Sequence, residues 1–432
     1  MKLNYQNFRQ NINRYINYLA VIFAFGLGLV KFLIPVSGVM MIVLWILEGN
    51  FQEKFKKIRQ YKSLIIFFIF ILYLFLTLYI SADINYYDMS RHFWAGKHET
   101  PLIWYIKHYV FYSLILIVLV TSLRKEFTRY IIGAFILGML INEIVSYLIF
   151  FDIIPPFHKG KDYKIVPFFI NHSYYSIFLV LAIFLMIIEL KNFYIPKYLK
   201  IVFYFFIFTA TLNLMLNIGR VGQYTLYMVA VITLFYYFKF SIKKIILSLI
   251  SILIIFICIY NYVPTFNKRL NQTINSIELI FKKKYYNTSL GQRIGMDIIG
   301  IEITRQYSLF GVGIDEGMNA KNKWISDNKK FEYTKHLLHF HNNYIQYLVE
   351  GGLIGLSLFV LFFIYLFKEK TIGIGKDLKY IIIPIFLLAS LTEVPFLRDR
   401  SFALFILIYA IILIYTNSSN DYETSNIGRD GF

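Results

Sequence analysis

The stretch KHLLHFHNNYIQYLVEGGLIGL, Lys335 to Leu356, places three of the chain's eight histidines (His336, His339 and His341) within six residues. An apolar run follows at once and continues to about residue 367, long enough to cross roughly 30 Å of hydrocarbon. If a helix begins near Asn342, then His341, Ile345 and Leu348 share one face and His341 stands at the helix mouth. Asn342 or Asn343 can cap that helix. The run Glu350–Gly352 interrupts helix propensity and marks a kink or a close packing contact. Polar, titratable residues are thus crowded against the end of a membrane span.

The rest of the chain repeats the apolar pattern. Of 432 residues, 58% are apolar and only 16% charged, where a soluble protein carries about a quarter; mean hydropathy is +0.58. Hydropathy predicts about twelve spans, near 15–29, 31–48, 63–80, 103–123, 129–151, 173–190, 201–217, 221–238, 245–262, 343–367, 380–392 and 401–415. The first block has a basic flank but no small-residue cleavage site, so it reads as a retained span. The net charge of +19 reads as lysines in short loops, not as a nucleic-acid surface. A single cysteine, Cys258 inside an apolar run, excludes a disulfide framework and a thiolate metal site.

Loop charge predicts orientation. With the N-terminus inside, the inner loops NFQEKFKKIRQYK, RKEFTR, KNFYIPKYLK, KFSIKK and KEKTIGIGKDLK hold five, three, three, three and four Lys/Arg. The outer loops 81–102, 152–172, 217–222 and 393–400 hold two, three, one and two, and the two long ones are far sparser. Retention of cationic loops therefore gives both termini inside. The expected organisation is a bundle of about nine spans over 1–262, an outer loop over 263–342, further spans over 343–415, and a polar inner tail over 416–432. The outer loop carries twelve Lys/Arg against seven Asp/Glu.

Chemistry is expected on that outer face. The spacing of the histidines lacks a neighbouring thiolate or carboxylate and the HExxH pattern, so no metal site is assigned. Imidazole at a membrane interface can be a simple anchor, but it is also matched to removing a proton from a sugar hydroxyl near neutral pH. Arg220 is the sole charge between two strongly apolar spans, flanked by Gly219 and Gly222, which permit close approach. Arg293 opens an amphipathic segment in which Ile294, Ile298 and Ile301 follow at helical spacing. Two rigid guanidinium forks suit a diphosphate. The glycine-punctuated turn YSLFGVGIDEG, Tyr307 to Gly317, lacks the spacing of a P-loop or dinucleotide fingerprint and reads as a tight turn. No DxD or ExD occurs in an outer loop; the only similar triplet, Asp421-Tyr422-Glu423, lies in the tail.

Together, SLGQRIGMDIIGIEITRQYSLFGVGIDEG and HFHNNYIQYLVEGGLIGL resemble the signature of the O-antigen ligase family: an arginine-headed helix, a GVG turn, then a histidine–asparagine helix mouth and EGG-LIG. The resemblance covers roughly 205–400 and is most specific over 289–356. That family comprises O-antigen ligases, O-antigen polymerases and protein O-oligosaccharyltransferases. It implies an all-helical polytopic fold of the metal-independent GT-C glycosyltransferase kind, in a bacterial inner membrane, with a periplasmic helical loop over the site. The implied donor is an undecaprenyl-diphosphate-linked glycan, the implied acceptor lipid A–core, with membrane lipid as surroundings and no cofactor. By the same resemblance His341 is the base, Arg293 and Arg220 hold the departing diphosphate, and His339 and Asn342 support substrate. A polymerase of O-antigen or capsule repeats using the same donor is the alternative. A transporter of lipid-linked sugars would instead place charges at the midplane of broken helices in paired repeats.

Overall fold

The computed structural model describes residues 2–79, 101–155, 170–239, 241–314 and 316–416. Residues 417–432 of the expected tail over 416–432, and most of the loops 81–102 and 152–172, lie outside them. Among the described residues the chain is all-helical, with no strand beyond an isolated bridge between Thr371 and Thr416. In chain order the helices are α1 (Lys2–Gly28), α2 (Leu33–Glu48), α3 (Phe51–Arg59), α4 (Lys62–Thr77), α5 (Pro101–Tyr105), α6 (Phe111–Ser122), α7 (Thr128–Phe150), α8 (His172–Asn192) and α9 (Lys197–Leu216). They continue as α10 (Arg220–Phe238), α11 (Ile242–Tyr262), α12 (Pro264–Lys283), α13 (Ser289–Gln306), α14 (Gly317–Asn328), α15 (Asn343–Lys368), α16 (Gly373–Asp377), α17 (Ile383–Ala389) and α18 (Asp399–Ile414).

All twelve predicted segments are helical, but they are not equal as spans. Among the described residues seven helices are long and apolar enough to cross a membrane, or eight if α2 and α3, bent by 114°, count as one. The protein is a multi-pass membrane protein. At 16 residues each, α4 and α18 reach only about 24 Å at 1.5 Å per residue, short of a bilayer core. The segment expected at 380–392 is a π-turn over Leu378–Ile382 followed by the short α17.

Burial sorts the helices into centre and rim. In α18 every residue from Ser401 to Ile414 is buried, and α8 is 89% buried over its apolar window where α11 is only 6%. An apolar face that nothing in the chain covers is what contact with lipid tails demands, so α11 is peripheral. The pairs α1–α2, α1–α7, α4–α15, α8–α10 and α6–α18 form the main packing contacts.

Residues 263–342 form α12, α13 and α14 and carry a core of their own. Met296, Ile299 and Ile303 of α13 pack with Val312, Ala320, Ile325, Phe340 and Val349. The expected face was Ile294, Ile298 and Ile301; Ile301 is 44% exposed instead. Glycines 295 and 300 lie on the buried face, and Gly300 faces Ile345 of α15 so closely that any side chain would collide. The buried face is thus Met296, Ile299 and Ile303 with these glycines, and Ile301 lies outside it.

Candidate active site

Asn342 settles where α15 begins: its side-chain oxygen accepts from Tyr344 N at 3.0 Å and Ile345 N at 3.3 Å. The preceding residue, His341, has φ +54°, a left-handed conformation that an ordinary residue holds only when its surroundings enforce it. Those surroundings are visible. Buried Lys321 reaches from α14 to the carbonyls of Lys335 and Leu337 at 3.0 and 2.5 Å. Phe340 N donates to Gln346 Oε1 at 3.0 Å, and His341 N donates to His339 Nδ1 at 3.1 Å.

The expected break at Glu350–Gly352 is present, and it has a partner. Gly352 has φ +63° and ψ −163° inside α15, and the turn after α13 docks in the gap. Val312 N donates to Val349 O at 2.9 Å, Gly313 N to Glu350 O at 3.0 Å, and Leu353 N to Ser308 O at 2.9 Å. A side chain at Gly311 or Gly352 would strike the other's backbone. The turn read from sequence as a simple reversal is thus what satisfies the backbone groups freed by the kink.

The mouth of α15 is knitted to the loop before α18. Asn343 N donates to Ser390 O at 2.8 Å, and Phe396 N donates to Asn343 Oδ1 at 3.2 Å. This brings in Glu393, which sequence reasoning missed. It is 3% exposed. Arg293 Nη2 donates to Glu393 Oε1 at 3.1 Å, and His341 Nδ1 stands 3.7 Å from Oε2. The second distance is too long for a hydrogen bond, so that contact is electrostatic. Burial pushes the Glu393 carboxyl up, but His341 and then Arg293 outweigh it and hold it down at about 2. Tyr174 of α8 also donates to Oε2 at 3.4 Å.

His339 is buried and lies against His341 with ring centroids 3.9 Å apart. Burial, then the charge of His341, pushes its pKa well below the usual histidine range, so the ring is neutral. Arg398 Nη2 approaches its Nε2 at 3.3 Å. Both its partners are donors and a neutral imidazole has one acceptor nitrogen, so the longer Arg398 contact is the weaker. His336, by contrast, is exposed and outside the cluster.

Facing this cluster is a cavity of about 230 Å³ lined by Arg220, Arg269 and Arg293 above an apolar wall that includes Tyr227, Phe256, Phe266 and Leu270. Arg220 donates to Thr273 Oγ1 at 3.1 Å and Gln272 Oε1 at 3.4 Å. Among the described residues no carboxylate pairs with Arg220 or Arg269. Of the three guanidiniums only Arg293 has a carboxylate partner among the described residues, Glu393, which leaves a site of net positive charge above an apolar wall. Gly219 and Gly222, read as permitting a ligand's approach, instead seat α10 on Ser176 of α8, and Gly222 N donates to Ser176 Oγ at 3.1 Å. Their part is to fix where Arg220 stands.

Asp297, one turn beyond Arg293, is the second missed carboxylate. Burial raises its pKa from 3.8 to about 7, against the pull of Asn342 and Arg293. His339, His341 and Glu393 each offer a ligand atom within 4.8 Å of the others, so the donor set alone could hold a cation. The charges argue against it: Arg293 already occupies Glu393, and Arg398 approaches His339. Arg269, Arg398 and Tyr174 likewise escaped sequence reasoning, since none sits in a local motif.

A model of the O-antigen ligase family matches residues 205–360, which takes in Arg220, Arg269, Arg293, His339 and His341. An uncharacterized protein of Haemophilus influenzae is 30% identical over 189 residues, covering 43% of this chain and 47% of that one. The chain thus spans about half the length of the curated relative it matches.

Proposed function

We propose, for a chain that belongs to the O-antigen ligase family by its residues 205–360, that it transfers a polysaccharide from undecaprenyl diphosphate to a sugar hydroxyl of lipid A–core on the periplasmic face. The observation that carries this reading is Glu393, a single buried carboxylate holding Arg293 at 3.1 Å and facing His341 at 3.7 Å. It joins a base to an arginine that lines the cationic cavity.

The chemistry follows from the charges. The diphosphate lies among Arg220, Arg269 and Arg293, with its prenyl chain along the aromatic wall. Nδ1 of His341 faces Glu393, which leaves Nε2 to take the proton of the acceptor hydroxyl. The acceptor oxygen attacks the anomeric carbon, and the bond from that carbon to the diphosphate oxygen breaks. The electron pair leaves with the diphosphate, the configuration inverts, and the proton stays on the imidazole beside the Glu393 carboxylate. Charge developing on the leaving group meets fixed guanidiniums, which is where stabilisation accelerates such a step. Those cations come from side chains, so the charge on the leaving diphosphate is met without a metal. His339 supports the His341 backbone, and Asn342 acts as the cap of α15 beside Asp297.

The test is a deletion strain in which lipopolysaccharide and undecaprenyl-linked glycan are separated and sized. Long chains accumulating on undecaprenyl diphosphate, with bare lipid A–core, are the expected result. Core carrying single repeats, with no long chains in either pool, makes the protein a polymerase. No change in either pool overturns the substrate assignment.

A further inference from the structure

The bundle also buries a carboxylate that the proposed chemistry does not use. Glu143 lies in the spanning segment Lys125–Phe150, two turns or about 10 Å before its end, and is 2% exposed. Neither of its oxygens has a hydrogen-bond partner among the described residues, and no lysine, arginine or histidine there pairs with it. The other buried carboxylates each meet a cation or an amide donor, as Glu189 meets Arg129 at 3.8 Å and Glu316 meets Asn319 at 2.8 Å. A bare carboxylate at hydrocarbon depth is costly, and such residues mark functional sites.

What surrounds Glu143 is polar and equally short of partners. Ser146 lies one turn further along the same face of α7. Asn213 of α9 donates its amide to Ser146 Oγ at 3.1 Å, and Tyr175 of α8 lies beside Ser146 and Glu143. Ser146, Tyr175 and Asn213 are each 0% exposed. Tyr175 Oη and Asn213 Oδ1 nevertheless have no hydrogen-bond partner among the described residues. Thr209 approaches Glu143 from α9, but its hydroxyl donates to the carbonyls of Phe205 and Phe206 at 3.1 and 3.2 Å. Two carboxylate oxygens, a phenol, an amide oxygen and a serine hydroxyl thus meet between three helices. Of these, only the serine oxygen has a partner.

Oxygen-only donors of this kind suit a hard cation. Charge selects its valence: one carboxylate is neutralised by one positive charge, and a divalent ion leaves a net charge inside the bundle. A proton is the simplest alternative. On Glu143 it can bond to Thr209 Oγ1, yet it leaves Tyr175 Oη and Asn213 Oδ1 as unpartnered as before. A monovalent metal ion meets the carboxylate and both of those oxygens at once. We infer that Glu143, Ser146, Tyr175 and Asn213 hold an alkali cation, sodium or potassium, within the membrane-spanning bundle.

Position gives the ion something to act on. Tyr175 stands between Tyr174, which donates to Glu393 at 3.4 Å, and Ser176, which accepts from Gly222 N at 3.1 Å next to Arg220. On α9, Asn213 is one turn before Asn217, whose side-chain oxygen accepts from Gly219 N at 2.9 Å. Both helices that share the ion with α7 therefore lead directly to the supports of Arg220 and Glu393. The ion is a positioning element, and its binding is independent of which glycan or acceptor the protein uses.

The experiment uses the full chain in lipid nanodiscs, without glycan substrates. Thermal unfolding is recorded at constant ionic strength while N-methylglucamine chloride is exchanged for sodium or potassium chloride. Tm is expected to rise saturably with one of the two alkali ions, by about 3–5 °C at a hundredfold excess over Kd. Glu143→Gln keeps the shape and removes the charge, so its Tm should no longer respond. Tyr175→Phe deletes one oxygen and should weaken the ion about tenfold, as losing a polar partner of a charged group does. This second variant keeps the site testable if Glu143→Gln does not fold. Wild-type Tm that ignores both ions overturns the site and leaves Glu143 a buried acid holding its proton. A response that the folded variants keep unchanged places the ion elsewhere and overturns it too.

Discussion

Two buried carboxylates at opposite ends of the bundle, Asp377 and Glu393, are each about 3% exposed or less and each meet a cation, yet their surroundings differ. Asp377 is saturated: Lys191 contacts both oxygens at 2.8 and 2.9 Å, Asn192 donates at 2.7 Å and Tyr236 at 2.9 Å. Every partner is short and comes from a bundle helix. Glu393 has one comparable bond, from Arg293 at 3.1 Å. Its other contacts are long, and one is to a histidine whose Nδ1 has no hydrogen-bond partner. A saturated buried charge holds helices together. One left with loose partners beside a cationic cavity is free to respond when substrate and charge arrive.

That contrast can be broken by mutation. The largest effect is expected for His341→Ala, which removes the base and abolishes transfer while the protein remains folded in the membrane; transfer at the wild-type rate and equal protein level sinks the mechanism. Next is Arg293→Lys. The charge facing Glu393 survives, but the planar fork does not, and kcat should fall about 10²–10³-fold, the usual loss for one donor to a developing anion. A matching rise in KM with kcat intact would make Arg293 a binding residue only.

The smallest effect sharpens the picture of the helix that carries Arg293. Asp297 binds its proton more tightly in the folded chain, at about 7, than its unperturbed value of 3.8. A raised carboxyl favours the folded state below the lower value, and that contribution is lost as pH rises through the higher one. Thermal stability should therefore decline between about pH 4 and 7 from this group, and Asp297→Asn should remove that decline. Glu393 has the opposite sign: held at about 2, it stabilises above its unfolded value near 4.5 and loses this as pH falls toward 2. An unchanged pH profile in Asp297→Asn would place the buried proton elsewhere.

Much of this was legible in sequence, and what was not has a physical reason. The helix mouth at Asn342, the break at Gly352 and the three residues Arg220, Arg293 and His341 all announce themselves locally, through capping, propensity and isolated charge. Glu393 does not, because its meaning is its contact with Arg293, 100 residues away. A search for paired acids passes over a single glutamate, and Arg398, Asp399 and Arg400 in the same short loop keep it from standing out as Arg220 does. The buried face of α13 was misread because isoleucines stand on more than one side of it, so spacing alone does not choose Ile299 and Ile303 over Ile294, Ile298 and Ile301. Lengths of α4 and α18 could not be read from hydropathy, since a buried central helix is as apolar as a spanning one.

The most direct measurement compares Glu393→Gln with Asp377→Asn in purified, reconstituted protein, recording transfer rate per folded molecule together with stability. Glu393→Gln should slow transfer about a hundredfold, less than the ~10⁴ of a triad aspartate because its histidine contact is electrostatic and not a hydrogen bond. Asp377→Asn should leave that rate unchanged and cost about 2 kcal/mol of stability, as the loss of hydrogen bonds to a charged group does. Equal rates in the two variants would contradict the claim that Glu393 joins the base to the arginine of the donor cavity.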